Sequence, residues 1–234
     1  MLLRDHIYAS IRRSILSGEF LPGLELREQM LAATYRVSRS PIRDSLLRLE
    51  QENLVTVLPR RGYLVSPISI ADVENMFALR LLIEPACAAA AAQRDDAAVR
   101  GLDRFRFYAG DGTIKLGFCD YNLEFHRAVA DLSGNARLAA VAHDLTDQFD
   151  RLVRISIDRH KVIDTNVLVR EHSAIVDAIQ AHDAGAAARL STCHAMGGRS
   201  RIVGLLRQIA GTPGNLETPA SGDGEPARHP AVTP

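Results

Sequence analysis

The chain has 234 residues, 47% hydrophobic and 24% charged, with 28 basic and 28 acidic residues balancing to no net formal charge. Those values describe a globular protein of one or two domains and exclude collagen-like, disulfide-stapled and wholly disordered chains. No apolar run could span a bilayer, and the three scattered cysteines, Cys87, Cys119 and Cys193, form no CxxC pair, so a cytoplasmic setting without a membrane partner is expected.

Trp is absent and aromatics are only 5%, which favours helix over strand. Charge is unevenly spread. Residues 1–66 hold ten Arg against seven acidic residues, and the remainder holds 18 basic against 21 acidic. A basic end on an acidic body suits a nucleic-acid contact at that end.

Ile7, Ile11 and Ile15 recur at four-residue steps and predict a helix over 4–17, closed by Gly18 and a Phe20-Leu21-Pro22-Gly23 turn. A second helix is predicted from Arg27 to Tyr35, with Met30 and Leu31 toward a core. After the turn Arg36-Val37, Ser38 is a candidate N-cap and Pro41 falls in the first helical turn, where a missing N–H costs little. Ile42, Leu46 and Leu49 give this third helix one apolar face. Arg39 and Arg43, four apart, share another, with Ser40 beside them. Two short helices joined by a tight turn, the second basic at its start, form a helix-turn-helix whose second helix suits a DNA major groove. Leu54 to Leu58 and Tyr63 to Val65 then predict two strands around Pro59-Arg60-Arg61-Gly62. That hairpin is a wing, and Arg60 and Arg61 at its tip could reach phosphate or a minor groove.

Pro67 stops the second strand and Ser69 can cap the next helix. Helices are predicted to about Gln93, from Asp95 to Tyr108, from about Thr113 to Leu132, from about Ala136 to Ile157, from Asn166 to Ala181, and, after the turn His182-Asp183-Ala184-Gly185, to about Ile209. Pro85 should bend the first of these or remove one hydrogen bond. From Gly211 the chain holds five of its ten prolines, and a disordered tail is expected. The expected division is a winged helix-turn-helix over 1–66, a linker over 67–69, an all-helical ligand-binding and dimerisation domain over 70–210 and a tail over 211–234. The fold class is mainly α: an N-terminal winged helix-turn-helix followed by an all-α antiparallel helical bundle effector domain.

Histidines mark the helical half. Asn122 and His126 are four apart and share a helix face. His172 and His194 each lie 11 residues from Asp183, so on two antiparallel helices they return to one level. Three imidazoles and an amide oxygen suit a divalent transition metal with open positions. Each histidine alone is as well explained as a hydrogen-bonded core residue, and spacing leaves that choice open.

Residues 4–66 resemble the winged helix of the GntR family of bacterial transcription regulators. The resemblance rests on Val37-Ser38-Arg39-Ser40-Pro41-Ile42-Arg43, Leu49-Glu50 and Arg61-Gly62-Tyr63-Leu64-Val65. It implies DNA contacts from Ser38, Arg39, Ser40 and Arg43 of the recognition helix and from Arg60, Arg61 and Gly62 of the wing. Asn53 stands where the family usually has Gly, and Asn also tolerates a left-handed backbone. Gln29 stands where that family often has a DNA-contacting Arg.

Residues 70–209 resemble the FCD (FadR-like C-terminal domain) effector domain of one GntR subfamily, through Leu79-Arg80-x-x-Ile83-Glu84, Asn122-Leu123-Glu124-Phe125-His126, Ser133-Gly134-Asn135 and Glu171-His172-Ser173, with a final His194. That resemblance implies a divalent metal (zinc, nickel or manganese) on Asn122, His126, His172 and His194, where the first is often Asp. It further implies a small carboxylate effector paired with Arg80. For Arg80, an i,i+4 pair with Glu84 is an equal alternative. Arg154, on a later helix, could also face the pocket.

The expected function is that of a dimeric regulator, a repressor by resemblance, whose affinity for double-stranded operator DNA is set by a small organic acid. A metal-dependent hydrolase using the three histidines, or a regulator with a metal-free pocket, are the alternatives.

Overall fold

The isoleucine ladder folds as its spacing dictates. In a computed structural model describing residues 3–108, 114–160 and 164–210, helix α1 (Leu3–Leu16) buries Ile7, Ile11 and Ile15 completely. Each contributes about 2 kcal/mol through the apolar surface it withdraws from water. Helices α2 (Glu28–Tyr35) and α3 (Arg39–Gln51) follow, and α3 turns Ile42, Leu46 and Leu49 onto the same core. Leu31 joins that core, but Met30 does not; it lies 40% exposed on the other side of α2.

The wing consists of strands β2 (Val55–Leu58) and β3 (Gly62–Val65), antiparallel, with Val57 opposite Tyr63. A third strand, β1 (Glu25–Leu26), pairs with the other edge of β3, so the sheet order is β1-β3-β2. Two residues carry no readable period, which is why alternation did not foretell β1. Asn53 takes φ +57° and supplies the left-handed residue between α3 and the sheet. Gly62 is required on two counts. Its φ is +117°, and a Cβ there would lie 2.6 Å from the Leu26 carbonyl oxygen of β1.

The second half is helical among the described residues. Ser69 caps α4 (Ile70–Ala91), its hydroxyl accepting from Asp72 N–H at 3.0 Å. The helix continues through Pro85 without ending. The helix expected over 95–108 is instead a short α5 (Asp96–Val99) and a 3-10 turn (Arg100–Phe105). Gly101, a poor helix former, sits at that change. Then come α6 (Ile114–Leu132), α7 (Ala136–His160), α8 (Thr165–Gln180) and α9 (Ala184–Ala210). The segment expected to interrupt the chain at Ala109-Gly110-Asp111-Gly112 and the tail from Gly211 lie outside the described residues. Helix α4 packs chiefly on α9, and α6 on α7. Two apolar clusters result, one around Phe105, Phe125 and Ile179, the other around Phe77, Phe118 and Phe149.

Ion pairs join the two halves. Arg12 of α1 reaches Glu52 at 2.9 Å at the end of α3, and also Asp147 at 2.8 Å and Asp144 at 3.1 Å on α7. Arg151 of α7 donates to the Ser66 carbonyl at 2.7 Å.

Candidate functional site

Helix α3 presents its basic start to solvent. Ser38, Arg39, Ser40 and Arg43 are all exposed, as are Arg60 and Arg61 at the wing tip, with Gly62 half-buried beneath them. Ser38 occupies the N-cap position, yet its hydroxyl makes no capping bond. Arg43 is held by Glu28 of α2, which accepts from Nε at 2.8 Å and Nη2 at 2.9 Å. The Arg43 hydrogen bond holds the Glu28 carboxyl below its ordinary range. Glu25 of β1 likewise pairs with Arg61. Sequence reasoning missed both carboxylates, since neither shares an element with its arginine.

The second cluster lies between the two apolar cores. His126 from α6, His172 from α8 and His194 from α9 are all buried, and their candidate ligand atoms lie within 4.8 Å of one another. The rings of His172 and His194 are 4.7 Å apart, as the equal spacing about Asp183 requires. Phe125 stacks on His172 at 3.9 Å and fixes its plane.

Hydrogen bonds decide which nitrogen of each ring is free. Tyr121 donates its hydroxyl proton to the Phe105 carbonyl at 2.7 Å, so toward His172 Nδ1, 3.3 Å away, it can only accept. The His172 proton therefore sits on Nδ1. Its Nε2 is a bare lone pair, fully buried, with no protein partner among the described residues. His194 Nδ1 donates to Glu171 Oε2 at 2.7 Å, which frees its Nε2 as well. His126 has Arg80 Nη2 3.5 Å from Nε2 and Glu84 Oε1 3.7 Å from Nδ1, again favouring a proton on Nδ1. Burial first, and then the neighbouring Arg80 and His194, hold the His126 imidazole well below its ordinary pKa. His172 is lowered in the same way, by burial and then by the two other rings and nearby arginines. Ring nitrogens turned inward, backed by a carboxylate and a phenol, are what a divalent transition metal needs. Ligands on one such ion lie about 3–3.5 Å apart, so small side-chain rotations would close the set. Asn122, also buried, borders the same space and can add an amide oxygen.

Beside the histidines is a cavity of about 30 Å³, bordered by Arg80, Asn122, His126, His194 and Arg201. Arg80 is 2% exposed. Of the two expectations for it, the i,i+4 pair with Glu84 is present, and the guanidinium also borders the cavity. Its Nε and Nη2 bond Glu84 at 2.6 and 3.1 Å, and its guanidinium also lies 4.0 Å over the Phe149 ring at the cavity wall. Arg154 is elsewhere. It pairs with Asp150 and Asp120 and lines the cleft between α1 and α7, because its position on α7 faces the winged helix and not the bundle interior. Arg201 takes the place expected of Arg154. It is held end-on by Glu171, with both contacts at 3.1 Å. Burial raises the Glu171 carboxyl, but the bonds from His194 and Arg201 outweigh it and hold the group below its ordinary range. A seven-residue step from His194 to Arg201 along one helix was the signal available for it.

Two family descriptions match the chain: "Bacterial regulatory proteins, gntR family" over residues 3–65 and "FCD domain" over residues 75–196. A protein of Streptomyces ambofaciens, described as an uncharacterized HTH-type transcriptional regulator in an unstable DNA locus, is 33% identical over 77% of this chain and 76% of its own. The HTH-type transcriptional repressor RspR of Escherichia coli K12 is 27% identical over 82% of this chain and 85% of its own. Among solved structures, E. coli McbR/YncC superposes with a TM-score of 0.71 over 89% of this chain and 99% of its own. At 16% identity, that match speaks for the fold alone.

Proposed function

The chain belongs to the GntR family of bacterial regulatory proteins, in the branch that carries an FCD domain, and on that premise we propose that its DNA affinity is controlled by a small organic acid bound beside a divalent metal. It is a DNA-binding transcriptional regulator of that type and not an enzyme. In the proposal, Arg39, Ser40 and Arg43 with Ser38 contact bases and phosphates, and Arg60, Arg61 and Gly62 place the wing. His126, His172, His194 and Asn122 hold the metal. A bound divalent ion would supply a Lewis-acidic anchor for an acid's carboxylate. Arg80 supplies paired donors at its side.

The orphaned, fully buried Nε2 of His172 is the single observation that carries the metal reading. An unpartnered buried nitrogen costs about 1–3 kcal/mol, which a metal bond would recover. Arg80 explains why an acid should join it. A guanidinium 3.5 Å from His126 Nε2 would repel an incoming cation, and an anion between them removes the repulsion. The named repressor among the relatives supports repression, with the acid releasing the operator. The exposed Leu79, Leu82 and Met196 on the packed pair α4 and α9 support a second copy of the chain as partner, which would present two recognition helices to a two-fold operator.

Metal analysis of the purified protein tests the site. We expect about one divalent ion per chain, lost in His126→Ala/His172→Ala; equal content in the variant would reject it and leave a metal-free pocket. Operator binding at fixed salt tests the head. Arg39→Ala and Arg43→Ala should each cost tenfold or more, and unchanged affinity would remove them from the interface.

A further inference from the structure

We propose that the effector is a short aliphatic dicarboxylate, gripped at its inner end by Arg80 and at its outer end by Arg201. The inference rests on the metal-and-acid reading above and narrows it. Four observations lead to it.

The first is placement. Arg80 and Arg201 border one cavity from opposite helices, α4 and α9, at different depths; their side chains are 3% and 30% exposed. One guanidinium is at the floor and the other is at the mouth.

The second is donor capacity. The Glu84 pair occupies Nε and Nη2 of Arg80, and the Glu171 pair occupies Nη1 and Nη2 of Arg201. Nη1 of Arg80 and Nε of Arg201 meet no acceptor among the described residues. Each fork therefore keeps donors for a carboxylate without surrendering its own partner.

The third is space. Gly198 lets α9 lie close to Phe77 and Arg80 of α4, and the Arg201 side chain folds back along α9 over Gly197. A Cβ on Gly198 would stand 3.3 Å from Phe77 and 4.0 Å from Arg80 Nη1, and one on Gly197 would stand 3.1 Å from Arg201 Nη1. Both guanidiniums thus flank the same short stretch of helix, which suits two acid groups separated by a few carbons. Much of the remaining wall is apolar, with Phe149, Val153, Leu168 and Ile202. That wall suits methylenes and offers nothing to the hydroxyls of a sugar acid.

The fourth is charge. Asn122 and the three imidazoles are neutral donors, and each arginine is already balanced by its glutamate. A divalent ion would thus bring two uncompensated charges into a buried site, and two carboxylates on one ligand neutralise both.

The test is calorimetric titration of the metal-loaded, full-length protein with succinate and with butyrate, which has the same chain length and one carboxylate fewer. Succinate should bind at least tenfold more tightly. Arg201→Gln should abolish that preference by weakening succinate far more than butyrate. Arg201→Lys, which keeps the charge, should retain part of it. Metal content measured on each variant separates loss of the acid from loss of the His194–Glu171 support. Equal affinity for the two acids in the wild type, or a preference that survives Arg201→Gln, overturns the proposal. If neither acid binds the loaded protein, the effector reading itself fails, and this proposal fails with it.

Discussion

Arg12 is the place to test whether the two halves of the chain communicate. Its guanidinium is 18% exposed and joins Glu52 at the end of α3 to Asp147 on α7, with partner exposures of 24% and 13%. The third partner, Asp144, is 53% exposed and adds little. Charge-assisted hydrogen bonds in part-buried settings are each worth about 1–2 kcal/mol. Arg12→Ala breaks two of them, although Arg127 still neutralises Asp147. The expected loss is therefore about 2–3 kcal/mol, which lowers the melting temperature by about 4–12 °C for a chain of this size. A double-mutant cycle with Asp147→Ala should return a coupling of about 1 kcal/mol, read from denaturant unfolding. The functional counterpart is sharper. With the effector present, operator affinity should change less in Arg12→Ala than in the wild type, although the acid still binds. A coupling energy indistinguishable from zero, or an unreduced effector response, would refute the view that this ion pair transmits anything.

Glu28→Gln frees Arg43 from its carboxylate and removes a negative charge from the reading face. DNA affinity should rise about threefold or more, with a steeper salt dependence measured by anisotropy titration; weaker binding would show that Glu28 aims Arg43 productively. Gly62→Ala forces a side chain into a left-handed backbone against the Leu26 carbonyl. It should cost about 2 kcal/mol in unfolding and weaken operator binding, with metal content unchanged. The metal-free protein should lose stability on acidification. His126 and His172 have folded-state pKa values lowered well below 6.5, so the unfolded chain binds more protons there. Stability is therefore full above about pH 6.5 and declines as pH falls from there toward the lowered values. Melting scans from pH 7.5 to 5 should show that slope, and His126→Asn/His172→Asn should flatten it.

What the sequence disclosed, and what it withheld, follows from range. Ile7, Ile11 and Ile15 announce α1 because helical spacing is local. Arg39 and Arg43 announce a shared face for the same reason. His172 and His194 could be brought to one level because a single turn relates them. Arg201 stayed hidden because its part depends on how α9 lies against α4, and no local period encodes that packing. Arg154 misled for the complementary reason. It stands on a helix that does wall the cavity, but on the turn's other side, where Asp150 and Asp120 engage it. Met30 shows the limit in miniature. Adjacent to Leu31 on a short helix, it could not share Leu31's face, and the core took only one of them.

Helix α7 gives that geometry a consequence. Phe149 and Val153, four apart, look into the cavity, while Asp147 and Arg151, also four apart, look toward the winged helix. The two pairs are about half a turn out of phase. One rigid rod therefore meets the effector site on one face and Arg12 and Ser66 on the other. The cavity, at about 30 Å³, holds little more than a water or two, so an acid fits only if its walls move. Displacing Phe149 and Val153 moves the same helix that grips α1 and Ser66. Asp147 is also held by Arg127, the neighbour of His126, so α6 bears on the same point. An acid can shift DNA affinity by this route only if α7 has two positions of comparable energy. If α7 has one position, the acid would bind and the metal would stay, yet operator affinity would not respond in either the wild type or Arg12→Ala.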